Sequence, residues 1–124
     1  MFERQQLIGN WHRSEQNGTE HFSEYAQILA DGRFVFTFFT YDMEGTIVDE
    51  ISEVGDWGLV KDIHFTITKA EVENGQEYDA DPLNKDNYQA YKVLELNEQT
   101  FTYEHLLSGE RFTLSRVLDQ ANQN

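Results

Sequence analysis

Short segments of alternating apolar and polar residues run along this chain, and no stretch of it carries a helical period. Apolar side chains recur at every second position, as in strands that have one buried face. Turn residues, above all glycine, asparagine and aspartate, separate the segments. The pattern predicts eight strands, at positions 7–14, 22–29, 33–41, 47–59, 63–69, 88–96, 100–107 and 110–117.

The first clear hairpin is centred on Ala30-Asp31-Gly32. Three loop residues with Gly32 in the left-handed conformation make a common hairpin turn, because glycine adopts a positive φ without a steric cost. This loop would place Ala26 opposite Phe36 on one apolar face. A two-residue Asp-Gly loop would instead place Gln27 opposite Phe36. We therefore expect the three-residue loop.

The middle hairpin is centred on Val60-Lys61-Asp62. A three-residue turn there would set Trp57 opposite Phe65, and it would also bring Ile67 to the buried face. His64 alternates with these apolar positions. We therefore expect His64 to point outward, as a solvated histidine on a strand.

Residues 70–86 break the alternation and contain the only proline, Pro82. They form the longest predicted connection, and long connections are where binding lids commonly lie. Four side chains of this segment are superficially similar to those of a calcium-binding loop: Asp79, Asp81, Asn84 and Asp86. The central glycine and the closing glutamate of such a loop are missing. We therefore expect an acidic loop and no metal site.

The last hairpin is predicted to turn at Ser108-Gly109. A two-residue turn would pair His105 with Phe112 and Tyr103 with Leu114, which gives the sheet an aromatic inner face. A sheet built entirely from hairpins avoids open edges most simply by closing on itself. The sequence thus predicts an all-β protein, an up-and-down antiparallel eight-stranded barrel.

At 124 residues the chain is long enough for one domain. We expect a single barrel domain over residues 1–118 and a polar C-terminal tail over residues 119–124. The 9 phenylalanines, 6 tyrosines and 2 tryptophans favour strands, since large rings pack well on sheet surfaces. The chain has no cysteine, which excludes disulfides, thiolate metal ligands and a cysteine nucleophile.

The charge is strongly unbalanced, with 23 acidic against 9 basic side chains and a formal net charge of −14. Such a surface repels the phosphates of nucleic acids and of anionic lipids, so we expect neither nucleic acid nor a membrane as a partner. A solvated acidic face is the simple interpretation, and a basic protein partner is the alternative. The N-terminus has no secretory pattern, and no apolar stretch is long enough to span a membrane. We therefore expect a cytoplasmic protein.

Several motifs resemble, in their order and spacing, the small bacterial lipocalin-like domains of the calycin superfamily. They are Leu7-Ile8-Gly9-Asn10-Trp11, Ile28-Leu29-Ala30-Asp31-Gly32-Arg33-Phe34, Gly55-Asp56-Trp57, Ile63-His64-Phe65-Thr66-Ile67 and Phe112-Thr113-Leu114-Ser115-Arg116. The resemblance implies a barrel in which Arg116 of the last strand stacks on Trp11 of the first and plugs the closed end. It also implies that residues 70–86 and 108–109 lie at the open end.

Eight residues are predicted to face the interior near the open end. They are Arg13, Phe22, Phe38, Ile67, Tyr91, Tyr103, His105 and Phe112. Aromatic walls with a few polar groups are typical of a small-molecule pocket, and equally of a filled core. His105 could be a hydrogen-bonding anchor for a ligand, a haem ligand or a general base. A histidine bonded to water or to a loop at the mouth is the simpler interpretation.

Three functions remain open at this point. The leading hypothesis is a non-enzymatic lipocalin-like barrel that binds a small apolar or planar ligand in an aromatic pocket. The second is an acidic protein–protein interaction domain with a filled barrel. The third is a haem-binding barrel or a small barrel enzyme that uses His105. No catalytic motif, metal ligand set or cofactor motif stands out in the sequence, so we expect none.

Overall fold

The computed structural model describes residues 2–117, so the polar tail predicted over residues 119–124 lies outside the described residues. One short helix, α1 (Arg4–Leu7), precedes the strands, and a 3₁₀ turn (Lys85–Asn87) lies between the sixth and the seventh strand. The strands are β1 (Gly9–Asn17), β2 (Glu20–Ile28), β3 (Arg33–Tyr41), β4 (Ile47–Val60), β5 (Ile63–Glu73), β6 (Gln76–Asp79), β7 (Tyr88–Leu96), β8 (Thr100–His105) and β9 (Arg111–Val117).

Eight of these strands close into a barrel. Around the ring the order is β1-β2-β3-β4-β5-β7-β8-β9, and β9 returns to β1 by pairing Arg116 with Trp11. The long strand β5 pairs with β4 on one side and with β7 on the other. Strand β6 lies beside the far end of β5, outside the closed ring. The predicted fold class, an up-and-down antiparallel eight-stranded barrel, is confirmed.

The hairpin of β2 and β3 has the predicted register. Ala26 lies opposite Phe36, and Gly32 takes a φ of 92° in the three-residue loop. A hydrogen bond of 2.9 Å from Leu29 N to Arg33 O closes this loop. The alternation of apolar and polar residues was sufficient to predict the register, because the position of the glycine and the apolar faces of both strands agree on it.

The hairpin of β4 and β5 differs from the prediction. Its turn has two residues instead of three, and Lys61 adopts a positive φ of 57° there, which is uncommon for a lysine. The register therefore shifts, so that His64 lies opposite Leu59 and Thr66 lies opposite Trp57. His64 and Thr66 point into the barrel. The predicted outward placement of His64 is wrong.

The apolar positions of β5 face outward as a consequence. Ile67 is one of them, so it does not line the interior as predicted. Phe65 lies opposite Gly58, and its ring covers the glycine so closely that a Cβ there would collide with it. Packing against a glycine backbone is a known way to accommodate an aromatic ring on a sheet surface. The apolar face of this strand is thus a half-buried outer surface.

Residues 70–86 were predicted to form one long loop, and most of them form a hairpin instead. Strand β5 continues to Glu73, and the chain returns as β6 after Asn74-Gly75, where φ is 52° and 81°. Two positive φ values indicate a type I′ turn, for which Asn-Gly is a preferred pair. Alternation did not reveal β6 because all four of its residues are exposed.

The connection between β8 and β9 is longer than the predicted two-residue turn at Ser108-Gly109. A hydrogen bond of 2.8 Å from His105 N to Glu110 O closes it. Tyr103 therefore lies opposite Phe112, whereas the prediction placed it opposite Leu114. Because the register moves by two positions, each side chain keeps its predicted face while its cross-strand partner changes.

Helix α1 seals the closed end of the barrel, and the alternation pattern did not predict it. Leu7 is fully buried there, and its carbonyl accepts a hydrogen bond of 2.9 Å from Trp11 Nε1. Arg116 Cζ lies 4.1 Å from the centroid of the Trp11 ring. All three guanidinium nitrogens of Arg116 donate to main-chain carbonyls, at 2.7–3.0 Å. The acceptors are the carbonyl groups of Gln6, Ile8 and Glu98.

The apolar core lies around Trp11 in the half of the barrel that α1 closes. Its buried members are Leu7, Trp11, Ala26, Ile28, Phe34, Trp57, Val93, Leu96, Phe101 and Leu114. Dense packing of these side chains fixes the closed end. The opposite half of the interior is not filled in this way.

Candidate functional site

Above the apolar core the barrel encloses a cavity of about 350 Å³. This volume lies within the range of small-molecule pockets, about 300–1,000 Å³. The exposed residues Asp86 and Glu110 stand at its mouth, at the end of the barrel opposite α1. The lining residues are Arg13, Glu24, Ala26, Ile28, Phe36, Phe38, Glu53, His64, Thr66, Asp86, Gln89, Tyr91, Phe101, Tyr103, His105, Glu110, Phe112 and Leu114.

The structure brings together six of the eight residues predicted to face the interior. These six are Arg13, Phe38, Tyr91, Tyr103, His105 and Phe112. Phe22 has the inward parity but lies nearer the rim, where Arg13 Cζ is 5.8 Å from its ring centroid. Ile67 points outward because of the shifted turn between β4 and β5.

An ion pair between Arg13 and Glu24 lies on the wall formed by β1 and β2. Arg13 Nε donates to Glu24 Oε1 at 2.8 Å, and Arg13 Nη1 donates to Glu15 Oε2 at 3.0 Å. Arg13 Cζ also lies 4.8 Å from the ring centroid of Phe112. Burial raises the pKa of Glu24 above its usual value, although Arg13 acts in the opposite direction. The guanidinium group is therefore already engaged by two carboxylates and a ring.

Glu53 is a second carboxyl that faces the cavity, and none of the ion pairs among residues 2–117 involves it. Its Oε1 accepts a hydrogen bond of 3.2 Å from Thr68 Oγ1. Burial raises the pKa of Glu53, and the charges of Glu71 and Glu24 act in the same direction. A largely buried carboxyl without a counter-ion costs free energy. Such a group in a cavity suggests a role beyond stability.

His64 lies at the inner end of the cavity among aromatic rings. It is 2% exposed, and its ring centroid is 5.8 Å from Tyr91, 5.9 Å from Phe101 and 6.0 Å from Trp57. Neither Nδ1 nor Nε2 has a hydrogen-bond partner among the described residues. Burial lowers the pKa of His64 to about 4, so the imidazole is neutral at pH 7. It therefore offers one unused donor and one unused acceptor.

Two tyrosines continue the aromatic wall toward the mouth. The ring centroid of Tyr103 is 4.8 Å from Tyr91 and 5.5 Å from Phe112. Burial raises the pKa of Tyr91 to about 12 and that of Tyr103 well above its usual value. The charges of Glu24 and Glu53 also raise the pKa of Tyr91. Both phenols keep their protons at neutral pH and act as hydrogen-bond donors, not as bases.

His105 has both of its ring nitrogens occupied. Its Nδ1 is 2.9 Å from Ser108 Oγ, and its Nε2 is hydrogen-bonded to Gln89 Oε1. The ring centroid lies 5.4 Å from that of Tyr91. An imidazole held from both sides has no free nitrogen for a metal in this arrangement.

Sequence reasoning missed the three polar groups that distinguish this cavity, Glu24, Glu53 and His64. Glu24 has the parity of Ala26, which was correctly placed inside, so alternation alone could have identified it. Glu53 could be placed only through the register between β3 and β4. His64 was missed because the sequence carries no signal for a left-handed Lys61.

Within residues 2–117, no three His, Cys, Asp or Glu side chains come together in a way that could hold a metal ion. The acidic segment after β6 instead uses its polar groups in turns. Asp81 Oδ1 accepts from Leu83 N at 2.9 Å, and Asn84 Oδ1 accepts from Asp86 N at 3.0 Å. In the same described part of the chain, no helix has the length and apolar character needed to cross a membrane.

Comparison with known proteins assigns no family to this chain. No protein-family model matches it. No curated protein matches it either. The geometry and chemistry of the cavity therefore carry the functional argument.

Proposed function

We propose that this protein is a non-enzymatic binding module, a lipocalin-like barrel that holds a small planar or apolar ligand in its aromatic cavity. The supporting observation is the cavity of about 350 Å³, whose walls include Phe36, Tyr91, Tyr103 and Phe112. The interior of an eight-stranded barrel is narrow enough for its own side chains to fill. Unfilled space with aromatic walls and a mouth is a feature expected of a binding protein.

A relationship to the small bacterial lipocalin-like domains of the calycin superfamily is part of this proposal. The closed up-and-down barrel supports it, and so does the position of Arg116 over Trp11 at the closed end. The cytoplasmic location inferred from the sequence stays a prediction.

Catalysis or haem binding through His105 has less support. An axial ligand needs an imidazole nitrogen free for the iron, and both nitrogens of His105 are hydrogen-bonded within the protein. The neighbouring Tyr103 holds its proton firmly, since burial raises its pKa. The polar groups of the cavity are better suited to bind a ligand than to react with it.

An acidic protein–protein interaction domain is the second candidate. That hypothesis assumed a filled barrel, and the cavity counts against it. The net charge of −14 still favours basic partners on the outer surface. The two candidate functions differ in one requirement: ligand binding needs an open cavity inside the barrel, and binding of a protein partner to the outer surface does not.

Titration with the neutral fluorescent probe N-phenyl-1-naphthylamine tests the binding function. We expect one probe per barrel, with the increased and blue-shifted emission of a dye that leaves water. Ala26→Phe places a ring in the cavity, since Ala26 is buried and lines it. This variant should lose the probe and stay folded, although the added ring also overpacks the adjoining core and should cost about 1–3 kcal/mol.

Gln27→Phe is the matched control, because Gln27 precedes Ile28 on the same strand but points outward and is exposed. It should bind the probe as the parent does. Unchanged binding by Ala26→Phe would place the probe outside the cavity. A parent protein that binds no probe would reject the proposal and favour the interaction domain.

A further inference from the structure

The cavity has a strong excess of negative charge. Four carboxyl groups line it, from Glu24, Glu53, Asp86 and Glu110, and the one cationic side chain among its lining residues is Arg13. That guanidinium group is hydrogen-bonded to Glu24 and to a second carboxylate, as described above. An anionic ligand would have to break these ion pairs and would meet the remaining carboxyls without compensation. The charge distribution therefore disfavours anions and favours cations.

The two carboxyls inside the barrel have unused hydrogen-bonding capacity. Oε1 of Glu24 accepts from Arg13, and no hydrogen bond among the described residues uses its Oε2. Glu53 has a single hydroxyl partner, Thr68. Both carboxyls lie beside neighbouring inward positions of β3, since Glu24 pairs with Phe38 and Glu53 pairs with Phe36. A ligand cation there would replace the missing counter-ion.

His64 supplies an independent indication of a ligand at the inner end. It is 2% exposed, it lines the same cavity, and neither ring nitrogen has a partner among residues 2–117. Its ring stacks on Tyr91, which lines the same cavity as both carboxyls. Nearly all buried polar side chains are hydrogen-bonded in native proteins, so two orphan nitrogens in a residue that lines a cavity indicate a partner that the described residues do not supply.

The aromatic walls connect these two polar regions. The rings of Phe36, Tyr91 and Tyr103 line the same cavity, with Phe36 paired with Glu53 and Tyr91 paired with His64. Aromatic faces bind both flat rings and organic cations, the latter through cation–π attraction. The walls are therefore suited to a ligand that is flat at one end and charged at the other.

We infer that the ligand is a flat arylalkylamine: an aromatic ring with a polar ring atom that bonds to His64, joined by a short chain to an ammonium group that binds Glu53 and Glu24. This inference rests on the proposed binding function and names the class of ligand. A ring of indole size on a two-carbon chain is compatible with a cavity of about 350 Å³.

Three indoles that differ in their charged end test the inference by isothermal titration calorimetry at low ionic strength. Tryptamine is the cation, tryptophol the neutral analogue and indole-3-acetate the anion. We expect tryptamine to bind about tenfold or more tightly than tryptophol, which is the usual range for a hydrogen bond to a charged group. Indole-3-acetate should show no measurable binding.

Glu53→Gln tests whether the preference for tryptamine over tryptophol depends on the Glu53 carboxylate. It keeps the size of the side chain and its contact with Thr68, so the fold should be retained. Tryptamine affinity should fall about tenfold, while tryptophol affinity should change less than about twofold. Glu50→Gln is the matched control, because it removes the same charge from an exposed, outward position of the same strand. Glu50→Gln should leave all affinities unchanged.

His64→Phe tests the inner end of the site. It should weaken tryptamine and tryptophol by the same factor, about fivefold, because both share the indole N–H. Unchanged affinities for both ligands would overturn the assignment of the ring end to His64.

Two results would overturn the cationic class while leaving the binding function intact. One is tryptophol binding as tightly as tryptamine, and the other is an unchanged preference in Glu53→Gln. If neither the three indoles nor N-phenyl-1-naphthylamine binds, the binding function itself falls, and the inference falls with it.

Discussion

The imidazole of His64 stacks on the phenol ring of Tyr91, with centroids 5.8 Å apart and an angle of 29° between the planes. The stack gives the histidine apolar contacts but no hydrogen bond, since both of its nitrogens lack partners among the described residues. An unsatisfied buried polar group typically costs about 1–3 kcal/mol. The burial of His64 therefore costs stability, which is consistent with the proposed role in ligand binding.

The pH dependence of stability is the first consequence of this burial. The pKa of His64 falls from 6.5 to about 4 on folding, so between these values the unfolded chain binds more protons than the folded one. This residue should therefore lower stability as pH falls from 6.5 to about 4, by about 3 kcal/mol in total. Urea unfolding of the parent and of His64→Phe at several pH values measures the difference.

His64→Phe should be more stable than the parent, and its advantage should grow as pH falls through this window. The comparison isolates His64 because Glu24 and Glu53 titrate in both proteins. His12→Phe, on the outer face of β1, controls for the change from histidine to phenylalanine outside the cavity. Parallel pH profiles for the parent and His64→Phe would show that the histidine is not buried as described.

Removal of the Arg116 guanidinium should open the closed end. Arg116→Ala loses three hydrogen bonds to carbonyls and the contact with Trp11, so we expect a loss of about 2–3 kcal/mol in unfolding free energy. Arg116→Lys should recover a part of it, because an ammonium group cannot stack as a plane or bond to three carbonyls at once. Arg33→Ala is the control, since its ion pair with Asp31 is exposed and should contribute little. Equal stability of Arg116→Ala and Arg33→Ala would contradict the role of Arg116.

The ion pair inside the cavity should be costly to break from one side. Arg13→Met leaves Glu24 buried without a counter-ion, and a loss of about 3 kcal/mol at pH 7 is expected. Because burial then raises the pKa of Glu24 further, the deficit should shrink as pH falls and the carboxyl takes up a proton. The double variant Arg13→Met with Glu24→Gln should recover most of the loss at pH 7. A double variant as unstable as Arg13→Met would mean that packing, not charge, causes the effect.

The fold could be predicted from the sequence because the alternation of apolar and polar residues identifies a strand from neighbouring positions alone. The hairpin of β2 and β3 shows this best, since the position of Gly32 and the facing pair Ala26 and Phe36 agree on one register. Turn length was harder to predict. At Lys61 the backbone has a positive φ, which lysine does not favour, so a two-residue turn was not expected. The predicted turn was one residue too long, and a difference of one residue exchanges the inward and outward faces of β5.

The site was less predictable than the fold, since its polar groups break the rule used to find the interior. The apolar side chains on the same face of β5 as Phe65 were assigned to the core, because hydrophobic side chains are expected inside. The shorter turn after Val60 instead brings His64 and Thr66 inward, where they line the cavity above the apolar core. The preference for an apolar face therefore predicted the wrong face of this strand.

Enlargement of two interior rings should distinguish a real cavity from packed space. Tyr103 borders the cavity, so Tyr103→Trp can place its added atoms in open volume and should cost less than about 1–2 kcal/mol. Phe34 is 1% exposed, stacks on Phe36 at 4.2 Å and is not among the residues that line the cavity, so Phe34→Trp should cost about 1–3 kcal/mol or more through overpacking. Unfolding free energies from urea titrations of both variants give the comparison. If Tyr103→Trp proves as damaging as Phe34→Trp, the barrel is filled in solution, and a ligand has no place inside it.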